Sequence, residues 1–176
     1  MNEPTLPPTD NEAVPEQDEL KHVNGWRAFA TLGQFLQDDD WHPQQLEDKT
    51  IYRVYFAGTH GDLRCYAQVR VDLEQFLFYV VAPVKAPEPV RPAIVEYLTR
   101  ANYGLRIGNF EFDYDDGEIR YKSSLDFEGG ALTPALIKNV IYPAVHTMDH
   151  YLPGLLNVMY GNQDPAEAID EIENPV

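Results

Sequence analysis

A chain of 176 residues has room for one two-layer core, and its formal charge of −16 bounds what that core can serve. Thirteen basic residues stand against twenty-nine acids, an imbalance that repels nucleic-acid backbones and anionic membranes and favours solubility. Cys65 is the single cysteine, which excludes an internal disulfide and suits a buried thiol in a reducing compartment.

The acids concentrate at the ends. Residues 1–22 hold six acids, one Lys and four prolines, with almost nothing to bury, and are expected to be disordered. They carry no basic stretch followed by an apolar run, and no apolar run in the chain reaches the ~18–20 residues that span a bilayer. The expected location is the cytoplasm. Asn24 can cap a first helix running to about Gln37, with Trp26, Phe29, Ala30, Gly33 and Leu36 as its apolar stripe. Asp38, Asp39 and Asp40 oppose the negative end of that helix and read as a solvated linker.

Three strands follow. Ile51–Ala57 is the first, and Gly58–Gly61 turns the chain. In the second, Leu63, Cys65, Ala67, Val69 and Val71 alternate with Arg64, Tyr66, Gln68, Arg70 and Asp72, the signature of a half-buried strand. Glu74–Ala82 is apolar on both parities, which predicts an interior strand covered on both faces, by helices on one side and by a subunit, tail or loop on the other. Residues 83–92 hold four prolines and form an extended crossover. Pro92 suits the first turn of a helix whose stripe is Ile94, Tyr97, Leu98 and Ala101 and which ends at Gly104.

Residues 107–127 alternate in two runs about Asp116-Gly117 and predict a β-hairpin closed by a tight turn. Phe110, Phe112 and Tyr114 share a face of its first strand; Ile119, Tyr121, Leu125 and Phe127 share one of its second, with Glu118, Arg120, Lys122 and Asp126 opposite. Thr133-Pro134 then caps a long amphipathic helix carrying Leu136, Ile137, Val140, Ile141, Ala144, Val145 and Met148. Pro143 should bend it, and Tyr151–Gly154 should break it before a short terminal helix from Pro153 to about Tyr160. Residues 162–176, with five acids and no base, read as a loose acidic tail. The order is α-β-β-β-α-β-β-α in one domain over residues 23–161, an α+β fold with an antiparallel sheet.

Candidate chemistry is sparse. Asp113, Asp115, Asp116 and Glu118 resemble the start of a calcium loop, but counting from Asp113 puts Gly117 at position five and Ser124 at twelve, where glycine at six and a bidentate acid at twelve are needed. An acidic turn explains them better. His146 and His150 lie one helical turn apart, a sound spacing for zinc. Thr147 stands where the usual motif has its glutamate, Asp149 is a shorter stand-in in the inverted form, and a third ligand would have to come from His22, His42, His60 or a remote acid. No Gly-x-Ser-x-Gly, glycine-rich phosphate loop or partnered cysteine occurs. No residue is therefore assigned a catalytic, cofactor-binding or metal role.

Leu98–Leu105, Gly108–Asp113, Gly117–Tyr121, Ser124–Asp126 and Leu132–Pro134, in this order, resemble the YbjN-domain family over about residues 24–160. That family is described as sensory-transduction regulators, with a fold similar to type III secretion chaperones. The resemblance implies a five-stranded sheet of order 1-2-3-5-4, helices packed on it, and no catalytic residues to carry over. It suggests a non-enzymatic protein-binding module, chaperone-like or a regulatory adaptor, needing no cofactor and engaging protein partners rather than nucleic acid or membrane. The same order leaves strand 107–114 at an edge, where a homodimer could pair unless Gly108, Glu111 and Asp113 protect it. The alternative is a metal-dependent hydrolase using His146 and His150.

Overall fold

Alternation along the central strands decides the architecture in the computed structural model, which describes residues 17–175. Helix α1 (Gln17–Asp38) precedes strands β1 (Gln44–Gln45), β2 (Ile51–Ala57), β3 (Asp62–Arg70) and β4 (Gln75–Lys85). Helix α2 (Arg91–Gly104), strands β5 (Asn109–Phe112) and β6 (Glu118–Asp126), and helices α3 (Pro134–Tyr160) and α4 (Pro165–Glu173) complete the chain. The sheet is antiparallel throughout, in the order β1-β2-β3-β4-β6-β5. The five strands expected from the sequence keep the expected order, and a sixth, two-residue strand is added at the β2 edge.

Register places Val54, Cys65, Val80 and Tyr121 in one row across four strands, with Ala67, Phe78 and Ser123 in the next. All seven are fully or nearly fully buried beneath the helices. Each deeply buried Phe or Leu on this face contributes about 1.5–3 kcal/mol through removal from water. Burial pushes the Cys65 thiol up to about 12, which keeps it protonated and inert.

Among the described residues helices cover one face of β4 and not the other. Phe76, Phe78 and Val80 are buried under helices, whereas Leu77 and Tyr79 on the opposite face are only half-buried. Within the described residues they are shielded by long neighbours on the adjacent strands, and Val81 on the same face is buried.

Helix α1 buries Phe29, Gly33 and Leu36 of the predicted stripe and departs from it at two positions. Ala28, Phe29, Leu32 and Leu36 face the core, while Trp26 is 56% exposed and Ala30 is also outside. Gly25 explains the exposure of Trp26: it lies against the backbone of Val71, where a Cβ would come within 2.2 Å of the carbonyl oxygen. The helix seats on that hydrogen, and position 26 is swung outward. Asn24 is inside the helix, not at its cap, and its Nδ2 donates to the Gly130 carbonyl at 2.9 Å. The disorder expected for residues 1–22 falls, for residues 1–16, outside the described residues.

The aspartate linker is partly fastened. Asp39 Oδ2 accepts from Trp41 Nε1 at 3.1 Å and from the Tyr142 hydroxyl at 2.6 Å, joining α1 to α3. At the other end the predicted break in α3 is absent, and the helix runs through Pro143 and Pro153. The loose tail is likewise replaced by α4. Asp164 caps it, accepting from Ala166 N at 2.8 Å, and Pro165 and Ala168 are buried against the domain. Glu173 accepts from the Tyr151 hydroxyl at 2.8 Å, so the acidic stretch is a packed helix with its charges turned out. No helix among the described residues is long and apolar enough to cross a membrane.

Candidate protein-binding face

The open face follows from the same alternation. Register aligns Tyr55, Arg64, Val81, Arg120 and Glu111 in one row across five strands, and Arg53, Tyr66, Tyr79 and Lys122 in the next. Ile51, Gln68 and Leu77 form a third. With Arg70 at the end of β3, five of the thirteen basic side chains of a strongly acidic chain stand on this one sheet face. Arg64 lies 5.9 Å from the centre of the Tyr66 ring and Arg120 4.7 Å from that of Tyr79, so the guanidinium groups ride on aromatic faces.

Arg120 Nε also donates to Glu111 at 2.7 Å, and Lys122 pairs with the other oxygen of Glu111. Burial opposes ionisation of Glu111, but the hydrogen bonds from Lys122 and Arg120 outweigh it and hold the carboxyl below its usual range. Arg64 has no carboxylate partner among the described residues. Arg53 reaches Gln44 through one terminal nitrogen, while its buried Nε has no hydrogen-bond partner. Between these groups a hollow of about 220 Å³ is floored by Tyr79 and Val81 and walled by Leu46 and Ile51.

The strand edges are less open than the face. On β5 the Asn102 carboxamide, offered from α2, accepts from Phe110 N at 2.7 Å and donates to Phe110 O at 3.1 Å. One side chain therefore imitates a neighbouring strand and occupies the central backbone pair of the edge. This protection is supplied by Asn102, not by Gly108 or the acids the sequence suggested.

The predicted metal candidates do not converge. His146 is exposed and packs its ring on Tyr142 and Phe56, and His150 sits edge-on to Tyr151. His22 pairs with Asp72 at 3.0 Å, and His42 is exposed in a left-handed turn with φ 48°. Among the described residues no three His, Cys, Asp or Glu side chains gather into a ligand set. The acidic turn is tied up internally: Asp113 Oδ1 accepts from Asp115 N, Asp116 Oδ1 from Glu118 N, and Lys85 pairs with Asp116. The expected tight turn at Asp116-Gly117 is a loop of residues 114–117 between the paired Asp113 and Glu118.

Asp149 has a structural task. Its carboxylate accepts from Thr59 N at 3.0 Å and His60 N at 2.8 Å, holding the β2–β3 turn against α3. Gly58 makes this approach possible, since a Cβ there would lie 2.3 Å from Asp149 Oδ1. Pro153 has no N–H to give the Asp149 carbonyl, and His60 Nδ1 lies 3.0 Å from that oxygen instead. Burial opposes ionisation of Asp149, yet the His60 and Thr59 N–H groups prevail and hold its carboxyl below the usual range.

The family model for YbjN, described as "Putative bacterial sensory transduction regulator", matches residues 29–157. The chain belongs to the YbjN family. Among solved structures, the one described as "YbjN, a putative transcription regulator from E. coli" is similar with 12% identity, over 69% of this chain and 85% of that one, at a TM-score of 0.51. At that identity the likeness shows a shared YbjN fold and nothing finer. No curated protein matches this chain.

Proposed function

We propose that this YbjN-family protein is a non-catalytic regulatory module that works in the cytoplasm by binding another protein across the open face of its sheet. The observation that carries this reading is the face itself: a broad aromatic and aliphatic surface, unroofed by any described helix, in a chain whose other sheet face is sealed. The family's description as a regulator supports the class, and the lone buried Cys65 suits a reducing compartment. Asn102 on the β5 edge argues for contact over the face rather than by strand addition there.

A photo-crosslinking residue at Tyr66 or Tyr79 tests this in cells, with Tyr103, 96% exposed near the end of α2, as the control position. A defined protein adduct at the sheet positions and none at Tyr103 is expected. Adducts of equal yield at all three positions, or none at Tyr66 and Tyr79, would remove the reading. His146→Ala should leave partner capture unchanged, since that ring lies on the helical side.

A further inference from the structure

We propose that the open face is built to hold an extended acidic segment of the partner protein, a step that rests on the reading of that face as the contact surface. Charge carries the argument. The chain is at −16, yet Arg53, Arg64, Arg120 and Lys122 project from the middle of this face with Arg70 at its end, opposed there by Glu111, Glu118, Asp62 and Asp126, so the face alone is not acidic. Arg64 has no acid partner among the described residues and Arg53 bonds Gln44 rather than an acid, so donor capacity is left over where apolar surface is also on offer. A carboxylate arriving beside them makes charge-assisted bonds at a site where the arginine planes are already oriented by Tyr66 and Tyr79.

Shape gives the segment its form. The hollow floored by Tyr79 and Val81 shares Ile51 and Gln68 with a second of about 650 Å³ beside Trp26 and Leu73, where Asp48 and Asp72 are balanced by Lys49 and Arg70. Trp26 and Leu73 are 56% and 46% exposed, so apolar surface lies in line from the sheet centre to the side of α1. An extended chain carrying Leu or Tyr between its acids fits such a line. A second copy of this chain presented face to face would set arginine against arginine. A nucleic acid carries a charge at every nucleotide and would need a longer basic track than these side chains supply, so its binding is an outcome the test must separate.

The test is fluorescence anisotropy on the full chain with a short labelled peptide mixing Glu with Leu and Tyr, and a counterpart with Lys for Glu. The acidic peptide should bind and the basic one should not. Arg64→Glu should weaken the acidic peptide about tenfold, and raised salt should weaken it similarly. Arg106→Glu, the same charge change off the face, should leave binding alone, and the double variant Arg64→Glu/Arg120→Glu should gain affinity for the basic peptide. Equal binding of both peptides, indifference to Arg64→Glu, or displacement by oligouridine would overturn the proposal. Binding seen only after removal of residues 1–16, which hold four acids and no base, would assign the face to the chain's own segment instead. A protein adduct at Tyr66 with no charge dependence would leave the contact face standing and remove its acidic occupant.

Discussion

The two faces of the sheet are made by the same strands, one residue out of step, and they behave as different materials. Phe76, Phe78 and Val80 on β4 are sealed at 0% exposure, while Leu77 and Tyr79 between them share their surface with Gln68, Tyr66, Lys122 and Ser124. The covered face is held by area removed from water, and its polar intruder, Ser123, has a hydroxyl without a partner. The open face is held together laterally, by guanidinium groups over rings and by Glu111 between Arg120 and Lys122. Stability therefore resides on one side of the sheet, which leaves the other side free to vary in what it meets.

Paired substitutions on β4 give that comparison its strongest test. Phe78→Ala should cost about 3–5 kcal/mol in urea unfolding, because it opens a cavity in a sealed layer. Tyr79→Ala, its neighbour on the open face, should cost well under half as much. Equal losses would mean the open face is as much a core as the covered one.

Next in size is Asp149→Asn, at about 1–3 kcal/mol, since the amide cannot accept from Thr59 and His60 together through both its heavy atoms. The pH dependence has a definite sign. The Asp149 pKa is lowered in the folded protein, so its stabilisation is complete above the unfolded carboxylate range near pH ~4 and is lost as pH falls through the folded value. Melting curves recorded through that acid range should fall more steeply for the native chain than for the variant. Parallel curves would remove Asp149 as the source.

Asn102→Ala should cost about 1–2 kcal/mol by leaving the Phe110 N–H unmet at the β5 edge, while Asn109 Nδ2 still reaches the Phe110 carbonyl at 3.2 Å. Sedimentation should show the native chain free of association through this edge and the variant more prone to it. Unchanged sedimentation together with unchanged stability would show that Asn102 protects nothing. Smallest of all, Arg64→Glu should shift stability by less than about 0.5 kcal/mol, as expected for an exposed site outside any ion pair, while altering what the face binds.

Most of the sheet was legible in the sequence because alternation is a strict period: Leu63 to Val69 and Ile119 to Tyr121 fall on the side that parity gives them. Helix α2 was equally plain, with Ile94, Tyr97, Leu98 and Ala101 buried as a stripe. Helix α4 was missed although its signal is present. Pro165, Ala168, Ile169 and Ile172 repeat at three-four spacing behind a capping aspartate, and the acids between them drew the reading toward charge instead of period. The outward place of Trp26 on α1 was not legible, because Trp26 counts as apolar in any stripe and only contact with Val71 shows why Gly25 takes the inner place. The basic character of the open face could be read from Arg64, Arg120 and Lys122 in their strands. That they stand together depends on the order β3-β4-β6, a long-range pairing which local sequence does not contain.

The clasp at Asp149 joins residues 89 and 90 positions apart, and this separation has a consequence for how the molecule comes apart. The β2–β3 turn forms locally, but its N–H groups find the carboxylate only after the intervening sheet and α3 have been laid down. Interactions that close last are absent from the folding transition state, so their loss accelerates unfolding and leaves the folding rate nearly unchanged. Asp149→Asn should then raise the unfolding limb without changing its slope and hardly displace the refolding limb. Pro153, an apparent flaw in the helix, would thereby help set the lifetime of the native state through the carbonyl it leaves to His60.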